Sequence, residues 1–164
     1  MNERDSEQVA QTFSERGYTL TPTEHDADAI LINTCSVRDQ AEQKALGKMG
    51  IMGKHRVARP HVVFGFMGCM AQSRGEELFK RIPHLDVVVG TQKYHRVFDY
   101  VDSVLSRRLE SRMDEVGSEM ETSRVEDEIV NLNGVKVLTA RVVDIDEEVG
   151  SQNTIRDHVP RETR

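Results

Sequence analysis

The sequence predicts an α/β fold, a parallel sheet covered by helices on both faces, and three observations predict it. Three continuous apolar runs of strand length, "AILINT" (29–34), "HVVFGFM" (61–67) and "LDVVVG" (85–90), read as strands buried on both sides. Stripes of helical period stand between and after them, and this alternation is the pattern of crossover connections rather than of hairpins. At 164 residues the chain holds one ordinary domain with a hydrophobic core, plus some excess.

The elements follow in order. Residues 2–15 form a first helix: Asn2 is a capping residue, Glu3 and Asp5 sit in the first turn where they oppose the dipole, and Val9, Ala10 and Phe13 share a face. Gly17 ends it, "YTL" (18–20) is a short strand candidate, and "TPTEHDAD" is an acidic turn. After "AILINT", the positions Val37, Ala41, Ala45, Leu46 and Met49 give a helical stripe, and "GIMGKHRVARP" is read as a loosening of the chain before the second strand. Gly68 and Cys69 follow that strand directly. Ala71, Leu78, Phe79 and Ile82 predict one helix, stopped by Pro83. Beyond "LDVVVG", the positions Val97, Val101, Val104 and Leu105 are the buried face of a last long helix.

After Leu109 the character changes. Residues 110–128 are acidic and lack apolar periodicity, which reads as a loose connection. Residues 129–150 alternate better and contain Asn133-Gly134, the dipeptide of a tight hairpin turn; such a hairpin is marginal alone. Residues 151–164 read as a linker. The expected division is a domain over 1–109 and an acidic linker or extension over 110–164.

Net charge is −6 and uneven: residues 1–109 carry 15 Lys/Arg against 14 Asp/Glu, and residues 110–164 carry 7 against 14. Affinity for nucleic acid rests mainly on neutralised phosphates, so neither part is expected to grip RNA unaided. No run approaches the ~20 apolar residues of a membrane span, and the first residues are charged where a signal peptide is apolar. A cytoplasmic protein without membrane contact is expected. Two cysteines do not make a disulfide framework, so each is a reduced thiol or a metal ligand.

Both cysteines take the same architectural place. Cys35 stands just past "AILINT" and Cys69 just past "HVVFGFM", at the carboxyl ends of strands, where open α/β sheets bind their ligands. If the two strands are neighbours, their backbones run ~4.8 Å apart and the thiols converge on one small volume. Helices starting near Val37 and Ala71 would aim their N-termini there and favour thiolate over thiol. Two cysteines at this separation match no short zinc or ferredoxin spacing, and inert buried cysteines are common in such cores. From the residues alone, a shared metal, a disulfide and two unreactive thiols all stay open.

Four stretches in this order, "MNERDSEQVA", "NTCSVRDQAEQK", "GCMAQSRGEEL" and "LDVVVGTQKYHR", resemble the amino-terminal domain of the methylthiotransferases, over residues 1 to about 109. "NTCSVR" is more similar to the branch that modifies dimethylallyladenosine in tRNA than to those that modify a ribosomal protein or threonylcarbamoyladenosine. The resemblance implies a flavodoxin-like three-layer sandwich whose three cysteines hold an auxiliary 4Fe-4S cluster. It also implies a radical S-adenosyl-L-methionine domain with a second 4Fe-4S cluster on a CxxxCxxC motif. The activity implied is transfer of a methylthio group to prenylated adenosine beside the anticodon. Carried over residue by residue, Cys35 and Cys69 are two of the three auxiliary ligands, and an iron without a protein thiolate can accept an outside sulfur ligand.

This chain departs from the family pattern. The first cysteine of the family falls two residues before the "MN" that begins this sequence, so the third ligand and the strand leading to it are expected to be absent. In a flavodoxin-like strand order that strand is interior, and its loss predicts two neighbours with unpaired edges and a slot in the core. No CxxxCxxC occurs. The expectation is the auxiliary-cluster part of a methylthiotransferase, truncated at both ends and inactive alone. Its expected partners are tRNA through the full-length enzyme and a sulfur donor or carrier, and a monomer is expected. The alternative is a non-catalytic flavodoxin-like binding module or a thiol or zinc module.

Other residues carry a blander expectation. His55, His61, His84 and His95 are read as surface or capping groups rather than ligands. Met67 and Met70 flank Cys69 and would help keep water from a cluster. Arg38 and Arg74 are read as compensating cluster charge, meeting RNA phosphate, or simply solvated.

Overall fold

The computed structural model of the chain describes residues 2–34, 39–110, 125–132 and 135–145. Among these residues a five-stranded sheet is built from β1 (Ala29–Asn33), β2 (Val63–Met67), β3 (Val87–Val89), β4 (Val125–Leu132) and β5 (Val135–Asp144), in the order β1-β2-β3-β5-β4. The four strands β1, β2, β3 and β5 run parallel, and β4 closes one edge antiparallel to β5. Helices cover both faces, so the predicted α/β sandwich, consistent with a flavodoxin-like arrangement, is what forms.

One face carries α2 (Asp39–Ala58), α3 (Cys69–Arg74) and α4 (Glu77–Arg81), whose Leu46, Met49, Met52, Met70, Leu78 and Phe79 pack against Phe64, Phe66 and Val88 of the sheet. The other carries α1 (Asn2–Glu15) and α5 (Val97–Glu110), through Val9, Phe13, Phe98, Val101 and Val104, against Val63, Met67, Val87 and Val89. The alternation of side chains along β2 and β3 therefore feeds two separate cores, which is why their sequences are apolar throughout. Phe13, Tyr18 and Phe98 close the second core in an edge-to-face trio with centroids 5.1–5.5 Å apart.

Several expectations need correction. "AILINT" is not buried on both faces: only Ile30 is fully buried, because β1 is the outermost strand. Residues 18–20, a strand candidate, form no strand, and among the described residues the sheet ends on this side at β1, whose outer edge is unpaired. α2 does not loosen after Met49 but continues to Ala58, since Met52, Gly53 and Arg56 are buried and keep the same side toward the core. The single helix expected from Ala71 to Ile82 is two, broken at Gly75, whose φ of +48° is left-handed.

The hairpin is present and starts earlier than expected, with its strands running from Val125 to Leu132 and from Val135 to Asp144 and Leu132 opposite Val135. Its turn dipeptide, Asn133-Gly134, lies outside the described residues, as do 111–124 and 146–164. Residues 125–128, read as loose connection, are the first half of β4. The hairpin also escapes the instability of an isolated pair, because β5 aligns with β3 (Val87 with Val142, Val89 with Asp144) and widens the sheet.

The charged side chain of Asp86, at the start of β3, is fully buried and ties the layers together. It accepts from Arg56 of α2 on one face and, through both oxygens, from Arg108 of α5 on the other. The backbone N–H groups of Phe64 and Ala140 donate to the same carboxylate at 3.0 Å each. Burial pushes the Arg56 guanidinium down to about 10, against the attraction of Asp86.

Candidate cysteine site at the carboxyl end of the sheet

Cys69 is the first residue of α3 and follows β2 after a single residue, Gly68, as the sequence predicts. It is half-buried. Cys35 lies outside the described residues, with Ser36, Val37 and Arg38. What the structure does fix is the pair of strand ends that precede the two cysteines in the chain. β1 and β2 are adjacent and parallel, with Asn33 opposite Met67, so the two strands end level with each other.

Past that last pair, Thr34 continues the contact. Its N–H donates to the carbonyl of Met67 at 3.2 Å, and its own carbonyl accepts from the N–H of Met70 at 3.2 Å. Thr34, the residue bonded to Cys35 in the chain, is thereby hydrogen-bonded on either side of Cys69. Its hydroxyl also lies 3.5 Å from the sulfur of Met70. Gly68 donates to the carbonyl of Val89 at 3.1 Å, and Gly90 donates to the carbonyl of Asp144 at 2.9 Å, so each strand end hands a hydrogen bond to the next.

Met67 and Met70 are buried, at 4% and 0% exposure, and place apolar bulk beside Cys69. α3 has six residues, too short for its dipole to do what was expected of a long helix. A cysteine sulfur beside a hydrophobic wall is chemistry that suits iron–sulfur or zinc ligation. Among the described residues no group of three or more His, Cys, Asp or Glu gathers around a common point.

The remaining candidates separate. Arg74 does not face the cysteine; its Nε pairs with the buried carboxylate of Glu42 at 3.0 Å. His84 is not a surface group. It is 3% exposed, its Nε2 lies 2.8 Å from the carbonyl of Met49, its ring stands edge-on to Phe64, and burial holds its pKa below the usual value. His61 faces Asp28 at 2.9 Å, and His55 packs edge-on against His25 at 4.8 Å, lowered first by burial and then by His25. His95 is exposed. Arg96 reaches the buried carboxylate of Asp144 at 3.2 Å, a group also bonded by Tyr100 and approached by Lys93.

Asp86 and Asp144, both buried, went unread in the sequence. The one opens an apolar run, in "LDVVV", the other closes one, in "RVVD", and a charge beside a strand otherwise built for burial is the signal that finds it.

Comparison with known proteins accounts for the arrangement. The profile of the family described as "Uncharacterized protein family UPF0004" matches residues 1–90. A protein named tRNA-2-methylthio-N(6)-dimethylallyladenosine synthase from Akkermansia muciniphila is 55% identical over 159 residues, covering 97% of this chain and 31% of the relative. The protein of that name from Opitutus terrae is 43% identical over 159 residues, covering 97% of this chain and 28% of its own length. The one from Methylacidiphilum infernorum is 50% identical over 105 residues, covering 64% and 22%. The chain thus spans about a third or less of the length of these relatives. No helix among the described residues is long and apolar enough to cross a membrane. With this profile over more than half its length, the chain belongs to the UPF0004 family.

Proposed function

We propose that this chain is the auxiliary-cluster domain of a tRNA methylthiotransferase that adds a methylthio group to N6-dimethylallyladenosine beside the anticodon. The observation that carries the reading is the double hydrogen bond of Thr34, next to Cys35 in sequence, to Met67 and Met70 around Cys69. Cys35 and Cys69 would be two thiolate ligands of a 4Fe-4S cluster, with a third ligand from outside these 164 residues. When bound, such a cluster supplies an iron that accepts an external sulfur ligand. The residues of this chain hold the two thiolates and, through Met67 and Met70, keep water away. S-adenosyl-L-methionine, a second 4Fe-4S cluster and the main tRNA contacts belong to the rest of the enzyme, working in the cytoplasm, with a sulfur donor or carrier as partner. Residues 1–109 form the cluster domain and 110–164 the acidic extension. These 164 residues alone are expected to bind and not to turn over.

Anaerobic reconstitution with iron and sulfide tests this. The wild-type chain should take up iron with the broad visible absorption of an iron–sulfur cluster, and Cys35→Ala and Cys69→Ala should each lose it. Absence of uptake by the wild-type chain overturns the reading, and retention of zinc in its place favours a thiol or zinc module.

A further inference from the structure

We propose that Gly68 and Asn33 act as a spacer that sets the distance between Cys69 and the end of β1 leading into Cys35. The proposal rests on the reading above, that the two thiols serve one ligand, and it adds two positioning residues to that site. Gly68 has φ +101° and ψ −161°, a region that glycine alone visits at little cost. A Cβ at that position would lie 2.4 Å from Oδ1 of Asn33, 3.0 Å from the carbonyl oxygen of Thr34 and 3.3 Å from the hydroxyl of Tyr94. The bare Cα of Gly68 is therefore what lets the last turn of β1 close on the residue before Cys69.

The obstacle cannot move aside freely. Nδ2 of Asn33 donates to Oγ of Ser6 at 3.0 Å, which pins its side chain to α1. Gly68 is fixed as well, its N–H to Val89 at 3.1 Å and its carbonyl to the N–H of Gln72 at 3.0 Å. Any side chain at position 68 has to open the gap between the two strand ends. Gly65 gives the contrast: it lies in the same strand pair, and its added Cβ would meet Cδ2 of Leu31 at 2.6 Å, the far end of a flexible side chain remote from the cysteines.

A test independent of iron uses phenylarsine oxide, which forms two As–S bonds with a pair of close thiols as its oxygen leaves with both thiol protons as water. The wild-type chain should bind one equivalent, and Cys35→Ala should lose that tight binding. Gly68→Ala should weaken binding about tenfold or more, a loss commensurate with the strain of a non-glycine residue in that region. Gly65→Ala should bind within about twofold of wild type, even if its Tm falls as far, because its wedge lies away from the thiols. Ser6→Ala, which removes the hydroxyl that Asn33 bonds and leaves the backbone intact, should weaken binding about threefold at nearly unchanged Tm. Wild-type affinity in Gly68→Ala, or in Ser6→Ala should Gly68→Ala not fold, overturns the proposal, as does a wild-type chain that bridges no arsenical. Bridging without iron uptake would sink the cluster reading and leave the spacer standing.

Discussion

The two ends of the sheet are held by different means. Where the strands begin, charge does the holding: Asp86 joins Arg56 and Arg108 in the interior, and Arg59 binds Asp28 at 2.6 Å and the carbonyls of His25 and Ala27 at 2.7 and 3.0 Å. Where they finish, backbone bonds from Thr34 to Met67, Gly68 to Val89 and Gly90 to Asp144 join a second charged group, the buried carboxylate of Asp144 with Arg96 and Tyr100, which reaches one face only. Arg56 and Arg108 come from the carboxyl-terminal turns of helices on opposite faces, so one carboxylate fastens three layers at the starting end. The finishing end adds glycine, because at Gly68 the strand ends approach only where no Cβ intervenes. The lesson is one of emphasis, with a single carboxylate joining three layers at one end and a glycine turn leading into Cys69 at the other.

Breaking the starting end should have the largest effect. Asp86→Ala removes the carboxylate that two buried guanidinium groups and two backbone N–H donors share, leaving the buried positive charges uncompensated by it, and should destabilise by about 3–5 kcal/mol in urea unfolding. A loss below about 1 kcal/mol would mean that the interior charges are not what joins the layers. At the finishing end, Gly90→Ala would drive its Cβ to 1.9 Å from Oε1 of Gln72, whose Nε2 donates to the carbonyl of Ile145 at 2.5 Å. Gln72 can rotate away, so the expected cost is one hydrogen bond and some repacking, about 1–2 kcal/mol. If Gly90→Ala proved as damaging as Asp86→Ala, the contrast between the ends would be erased.

A third measurement sharpens the comparison through pH. His84, packed at the starting end, has its pKa lowered by burial, so its folded form binds fewer protons than the unfolded chain. Stability from this source is complete above the ordinary value of 6.5 and declines as pH falls below it, toward the folded pKa. The urea midpoint should drop between pH 7.5 and pH 5.5, and His84→Gln should show a shallower drop; equal slopes would remove His84 from the account. The smallest effect is expected away from both ends. Gly47 of α2 is exposed, with nothing within 4 Å of an added Cβ, so Gly47→Ala should raise stability by about 0.5–1 kcal/mol on helix propensity alone.

Much of this molecule is legible in its letters. The runs at 61–67 and 85–90 and the stripe of α5 announce their elements because burial on both faces, or on one, writes itself directly into hydrophobic period. "AILINT" announces a strand but not its place at the edge, since pairing partners leave no mark in a strand's own sequence. The continuation of α2 through Gly50 and Gly53 was illegible for a similar reason. Gly53 lies against the ring of His84, where a Cβ would come within 2.8 Å, so its smallness serves tertiary packing and says nothing of a helix end. At the site, the position of Cys69 could be read from the strand before it, but the closeness of Thr34 could not.

The sequence by itself determined the layered α/β class, the position of Cys69 at a strand's carboxyl end and the kinship with the methylthiotransferases, because these depend on local period and on short motifs. Only the tertiary structure decided that β1 and β2 are partners ending level, that β5 joins the same sheet, and that Asp86 and Gly68 are the points on which the layers and the strand ends close. Those facts concern residues distant in the chain, and the forces that unite them, a buried carboxylate between two guanidinium groups and a backbone contact that tolerates no side chain, exist only once the fold has brought them together.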